Sequence, residues 1–175
     1  MVETYIGIGS NLGDRRDFCA RALGLLSMLP QSRLVGYSSP YETEPVGDVG
    51  GPFLNLVARV DTDLPAWRLL LILKETELGL GRAPDRPSRP RTMDLDLLFY
   101  GDQVIHDKGL EVPHPRLHER RFVLAPLAEL APAFRHPVLC KTMASLLTAL
   151  KDPHAVRRLK EPVVPWTHEG GACRP

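Results

Sequence analysis

The chain has few cysteines: Cys19, Cys140 and Cys173 in 175 residues. An odd number of widely spaced thiols gives neither a disulfide framework nor a metal spacing, and a reducing cytosol is the expected compartment. No apolar run reaches transmembrane length, and the N-terminus lacks the basic-then-apolar pattern of a secretory leader, so no membrane role is expected. Neither sign of charge is in surplus. A net charge of +1 argues against a dedicated nucleic-acid binder. No G-x-x-x-x-G-K-[ST] occurs, which removes a Walker-type nucleotide site, and no H-E-x-x-H occurs. Gly7, Gly9 and Gly13 miss the dinucleotide fingerprint because the third glycine falls one position late. His114 and His118 stand four apart with no third soft ligand nearby, so zinc is not expected. There is no internal repeat.

What is present suits one soluble domain. Hydrophobic content of 43% and charged content of 25% are those of a globular protein with an ordinary core. Seventeen prolines sit between the periodic segments and predict long ordered loops. Thr4–Ile8 reads as a strand, followed by a helix capped by Asp14 and running to about Met28, with Phe18, Ala22, Leu25, Leu26 and Leu29 as its apolar stripe and Cys19 packing beside it. Arg33–Ser39 is a second strand, and Pro40–Pro52 an irregular connection long enough to be functional. In Phe53–Val60 the alternation puts Leu54, Leu56, Ala58 and Val60 on one face and Phe53, Asn55, Val57 and Arg59 on the other. Asp63 can cap a helix from Leu64 to about Leu78 with Trp67, Leu70, Leu71 and Leu78 inward. Arg91–Tyr100 reads as the next strand. Beyond it come a brief strand at Val104–Ile105 and helices at about 115–130 and 142–150, the latter capped by Thr142. The order β-α-β-β-α-β predicts an α+β fold of ferredoxin-like type, an antiparallel sheet with two helices on one face, the other face free, and extra C-terminal helices. One domain over 1–161 and a loose tail over 162–175 are expected.

The stretch Arg91–Tyr100 carries the chemistry. In a strand Asp94 and Asp96 share a face, about 7 Å apart along the backbone, while Leu95, Leu97 and Phe99 face a core. Two adjacent carboxylates repel unless a cation lies between them. Arg82, Arg86, Arg89 and Arg91 crowd the loop just before them. Carboxylates hold magnesium together with phosphate oxygens, and arginine forks grip the remaining oxygens. This points to a metal-bound polyphosphate; a solvated edge strand beside a charged loop is the plainer alternative. His114, held between Pro113 and Pro115 ahead of Arg116 and Arg120, is placed for phosphate contact. Phe53 and Phe122 are core aromatics by default, or the two sides of a stack around a flat heterocycle. An RNA-binding module shares the element order, but carboxylates on the binding face would repel a phosphate backbone.

Several segments resemble one family in order and spacing: Ile6–Gly13, Tyr41-Glu-Thr-Glu-Pro45, Phe53-Leu-Asn55, Glu77 with Gly81-Arg82, Pro90-Arg-Thr-Met-Asp-Leu-Asp-Leu97 and Val112-Pro-His-Pro-Arg-Leu-His-Glu-Arg-Arg-Phe-Val-Leu124. The family is 6-hydroxymethyl-7,8-dihydropterin pyrophosphokinase, and the resemblance covers roughly residues 3–150. It implies a ferredoxin-like enzyme of folate biosynthesis that moves the β,γ-pyrophosphoryl group of ATP to the pterin alcohol and releases AMP. By the same resemblance Asp94 and Asp96 would hold two magnesium ions, and Arg82 and Arg91 would stabilise the phosphates as catalytic groups. Glu77, Leu97, His114 and Arg120 would join those arginines in binding ATP. Thr43, Pro45, Val46 and Asn55 would bind the pterin, with Phe53 and Phe122 on its two faces. A monomer is expected. Another two-aspartate magnesium nucleotidyl transferase is the enzyme alternative; it would release pyrophosphate. The sequence departs from the family pattern in three places. Pro87–Arg91 lacks the tryptophan of many members, Phe53 stands where tyrosine is frequent, and Glu44 stands where some have proline.

Overall fold

The computed structural model describes residues 1–44, 50–81 and 92–167. Its main sheet is antiparallel and central to the molecule. The strands are β1 (Val2–Ser10), β2 (Ser32–Tyr37), β3 (Tyr41–Thr43), β4 (Phe53–Thr62), β5 (Asp94–Tyr100) and, late in the chain, β8 (Val156–Arg158). The order is β5-β1-β4-β3-β8, with β2 also on β4. The outer edge of β4 is thus shared: β2 pairs with Ala58–Thr62 and β3 with Phe53–Asn55. Ser38 bridges the break, its N–H donating to the Val57 carbonyl and its hydroxyl accepting from the Val57 N–H. The short strands β6 (Ile105–Asp107) and β7 (Leu110–Val112) form a separate hairpin. Neither β3 nor β8 carries a readable strand signal, because three residues are too few to show alternation.

Helices α1 (Arg15–Ser27) and α2 (Ala66–Gly79) cover one face. Cys19, Ala22, Leu23 and Leu26 of α1 and Ala66, Leu69 and Leu73 of α2 pack with Ile6, Ile8, Leu54, Leu56, Ala58, Val60, Leu95 and Leu97. Asp14 caps α1 as expected, its carboxylate accepting from the Asp17 N–H at 3.0 Å. Cys19 is fully buried, and burial pushes its thiol up to about 12, so it packs and does no acid–base work. The start of α2 departs from the sequence expectation. Pro65 is its N-cap with no side-chain cap, and Asp63 pairs instead with the N-terminal amine at 2.9 Å. Its inward stripe is Ala66, Leu69, Leu73 and Glu77, while Trp67 and Leu78 are 62% and 53% exposed. Hydropathy alone sets the wrong phase here, because a small alanine and a charged glutamate mark the buried side.

The opposite face is not wholly free. After a 3-10 turn at Leu117–Glu119, α3 (Arg121–Leu130) and α4 (Met143–Ala149) lie on part of it. Val123, Leu124, Leu127, Met143 and Leu146 pack there on Tyr5, Val57, Leu98 and Phe99. Phe99 was expected on the same side as Leu95 and Leu97. A bulge moves it: Ile6 pairs with Leu97 and Tyr5 with Phe99, so Leu98 is an extra residue and the side-chain alternation slips by one. The described part of the expected loose tail is docked. Val163 is 3% exposed in the α1–α2 core, the Trp166 N–H donates to the Ala20 carbonyl at 2.9 Å, and Arg16 donates to the Glu161 and Pro162 carbonyls. One buried valine and backbone bonds do not show as periodicity. Among the described residues no helix is long and apolar enough to cross a membrane.

Candidate active site

The uncovered end of that second face is a cleft of about 500 Å³. Its floor is read directly from the strand register. Asp94 lies opposite Gly9, and Gly9 opposite Asn55; Asp96 lies opposite Gly7, and Gly7 opposite Val57. Residues directly opposite in an antiparallel pair share a face. The acid pair and the Phe53/Asn55 pair are therefore on one surface, separated by two residues without side chains. The glycines make the floor. A Cβ on Gly9 would sit 2.8 Å from Asn55 Oδ1, so the bare backbone leaves the amide its place. The Asn55 amide is fixed from its other end, donating to Thr43 Oγ1 at 2.7 Å. Thr43 and Asn55 are both buried. Phe53 lines the cleft from β4 and Phe122 from the start of α3, with the Arg120 guanidinium 5.6 Å from the Phe122 ring centre.

Beside it, a second hollow of about 350 Å³ is lined by Leu70, Lys74, Asp96, Leu97, Leu110 and His114, among others. Asp96 borders both. His114 is fixed by its backbone, its N–H donating to the Leu98 carbonyl at 3.0 Å. Burial holds its pKa below the ordinary histidine value, against the pull of Asp96 and Asp94. The ring is neutral at pH 7, and its Nδ1 accepts from the Arg116 N–H, which leaves the proton on Nε2 as a donor. Arg120 is desolvated and repelled by Arg116, and both effects lower its pKa while the two aspartates raise it. It stays cationic. A half-buried guanidinium of this kind gains from an anionic ligand.

Glu77 is buried, and its Oε1 accepts from the Leu95 N–H at 2.6 Å and from Lys74 Nζ at 2.9 Å. That carboxylate therefore braces the strand between the two aspartates. Lys74 also donates to the Leu95 carbonyl at 2.9 Å and lies 4.0 Å from Asp96. Sequence reasoning missed Lys74; its spacing of three from Glu77 on a helix was the available signal. It also missed Lys151–His154, which reach the cleft from 29 to 32 residues beyond Phe122 with no local pattern to mark them. Pro45, Val46, Arg82 and Arg91 lie outside the described residues, as does the arginine–proline loop at 82–91. Among the described residues no group of three His, Cys, Asp or Glu side chains could hold a metal alone. Magnesium does not require one, because one or two carboxylates suffice when phosphates and water complete the shell.

The pattern of the family described as 7,8-dihydro-6-hydroxymethylpterin-pyrophosphokinase (HPPK) matches residues 5–132. This chain belongs to that family. Among its relatives, the 2-amino-4-hydroxy-6-hydroxymethyldihydropteridine pyrophosphokinase of Pseudomonas aeruginosa is 43% identical over 77% of this chain and 84% of its own. The enzyme of the same name from Methylorubrum extorquens is 37% identical over 91% of this chain and all of its own. That from Bacillus subtilis is 42% identical over 72% and 76%. A solved structure of Plasmodium falciparum HPPK-DHPS with pterin and p-hydroxybenzoate superposes with a TM-score of 0.67 at 17% identity, over 84% of this chain and 41% of that one. At that identity the match speaks for the HPPK fold alone, and the chain spans less than half of the fused protein.

Proposed function

We propose that this chain, an HPPK-family pyrophosphokinase of folate biosynthesis, transfers pyrophosphate from ATP to the hydroxymethyl group of 6-hydroxymethyl-7,8-dihydropterin and releases AMP. The observation that carries this reading is the register that puts Asp94 across Gly9 from Asn55 and Asp96 across Gly7 from Val57, on the same face. A polyanion site and a flat-ligand site then share one sheet face. The strand order β5-β1-β4-β2 with α1 and α2 on one face supports the ferredoxin-like assignment. The pterin lies in the larger cleft, between Phe53 and Phe122, with its polar edge on Asn55, Thr43 and the segment at Pro45–Val46. ATP occupies the smaller hollow against Leu97 and His114, its triphosphate running to Asp96, Arg120, Arg82 and Arg91, while Glu77 holds the acidic strand in place.

The pterin alcohol oxygen attacks the β-phosphorus. The bond from that phosphorus to the α,β-bridging oxygen breaks, AMP leaves and the alcohol proton passes to solvent. Two magnesium ions fit Asp94 and Asp96 with the phosphate oxygens, and when bound would neutralise charge on the triphosphate. The protein's own part is alignment. The rings fix the pterin plane, Asn55 fixes its rotation, and the Nε2 proton of His114 and the Arg120 guanidinium hold oxygens of the nucleotide. Held geometry of this kind supplies much of the rate in phosphoryl-type transfer. The enzyme acts as a cytoplasmic monomer.

The test is product analysis with the Asp96→Ala variant. Wild type should yield AMP and the pterin diphosphate, and folded Asp96→Ala should lose turnover and magnesium-dependent ATP binding. Release of ADP or pyrophosphate by wild type, or near-normal turnover in the variant, would overturn the reading.

A further inference from the structure

We propose that Asp152 is a positioning residue for this reaction: it caps the N-terminus of α3 from 31 residues away and so sets Phe122 and Arg120 against the cleft. The inference rests on the reading of the cleft as the pterin site. The first turn of α3 is poorly held by its own sequence. Its N-cap is Arg120, which makes no side-chain cap and whose guanidinium has no acceptor to offer. Pro126 lies inside the helix and has no N–H to return to the Phe122 carbonyl. Yet this turn carries one of the two rings and one of the cations of the site.

The missing acceptor comes from the chain after α4. Asp152 Oδ2 accepts from the Arg121 N–H at 2.9 Å, and the Arg121 guanidinium donates to the Leu150 carbonyl at 2.9 Å. The other carboxylate oxygen is held by the His154 N–H at 3.0 Å and by His154 Nδ1 at 2.5 Å. The Asp152 side chain is 7% exposed. The hydrogen bonds from Arg121 and His154 outweigh burial and hold its carboxyl below the ordinary range, so it is an ionised cap at neutral pH. The segment is anchored beyond it as well. Glu44 and Ala155 exchange two hydrogen bonds, the Glu44 N–H with the Ala155 carbonyl and the Ala155 N–H with Glu44 Oε2, each at 3.2 Å. Asp152 and His154 line the same cleft as Phe122 and Arg120. The family pattern ends at residue 132, so this wall lies outside it.

The experiment compares wild type, Asp152→Ala and Asp152→Asn, the last keeping an acceptor. Binding of 6-hydroxymethylpterin in the presence of a non-hydrolysable ATP analogue is measured by calorimetry, and steady-state constants are measured with the dihydropterin. Asp152→Ala should weaken pterin binding about tenfold, the scale of one lost charge-assisted hydrogen bond, and raise KM more than it lowers kcat. Asp152→Asn should come back to within about threefold of wild type. A purely structural loss would lower the active fraction, and with it kcat, at constant KM. Hydrogen exchange at Arg121–Leu124 without ligand supplies the second measurement: faster in Asp152→Ala, restored in Asp152→Asn. Unchanged exchange, or equal pterin affinity in folded Asp152→Ala, overturns the inference. If wild type binds no pterin, the reading of the cleft fails, and exchange alone decides the cap.

Discussion

Gly9 shows how much a missing side chain can determine. It lies between Asp94 and Asn55 in the register, and a methyl group there would meet Asn55 Oδ1 at 2.8 Å. The amide cannot simply swing away, because its nitrogen is held on Thr43. Gly9→Ala should therefore displace Asn55 and weaken pterin binding about tenfold or more, roughly 1.5 kcal/mol for one misplaced buried hydrogen-bonding group. Calorimetry checks this, with Gly7→Ala as the contrast, since the nearest atoms a Cβ there would meet are Leu98 side-chain carbons at an ordinary 3.5 Å. Unaltered affinity in Gly9→Ala would show that Asn55 does not orient the ligand. In the sequence the two glycines stand as a failed dinucleotide fingerprint and as part of the Ile6–Gly13 resemblance, and neither says what they lie between. Their use depends on which residue of β4 lies opposite, and pairing across 46 residues is not written in local spacing. Asp94, Asp96, Phe53 and Asn55 were legible because period-two alternation assigns their faces without a partner strand.

At the scale of elements, alternation in β4 and the caps at Asp14 and Thr142 were readable, since each is a local signal. The phase of α2 and the bulge in β5 were not. A bulge is set by the partner strand, and it carries Phe99 across the sheet. The docking of residues 162–167 on α1 is equally non-local and makes a prediction that helix propensity alone gets wrong. Gly24 lies inside α1, where replacement by alanine ordinarily gains about 1 kcal/mol. Here a Cβ would collide with the Trp166 carbonyl oxygen. Lifting the segment exposes Val163 and breaks the Trp166–Ala20 hydrogen bond, a loss of about 2–4 kcal/mol. Gly24→Ala should thus lower stability by about 1–3 kcal/mol on balance. In a chain ended at Glu161 the same substitution should stabilise by up to about 1 kcal/mol. Urea unfolding of the four proteins tests the reversal of sign, and stabilisation in both backgrounds would mean that the tail adds nothing to the fold.

For the molecule as a whole, one buried histidine, one half-buried histidine and a set of paired carboxylates fix the response to acid. His136 is 5% exposed against Phe99, and its Nδ1 accepts from the Val138 and Leu139 N–H groups. Burial, and then the nearby His118, hold its pKa below the ordinary value; His114 is shifted the same way, chiefly by burial. A histidine lowered on folding binds its proton more readily in the unfolded chain. Its stabilisation is complete above about pH 6.5 and is lost as pH falls from there through the folded pKa. Glu42, Glu129 and Asp152 are lowered carboxylates whose contribution is complete above about pH 4.5 and is lost only as pH falls through their own folded values. Acid should therefore destabilise the protein in two stages, the first beginning near pH 6.5, the second below about pH 4.5. His136→Asn keeps an acceptor for the two N–H groups and removes a titrating ring, so it should flatten the first stage in part, with His114 accounting for the remainder. Urea midpoints at closely spaced pH values decide this. A wild-type midpoint that is level from pH 7 to pH 5 would mean that neither ring is held neutral by the fold.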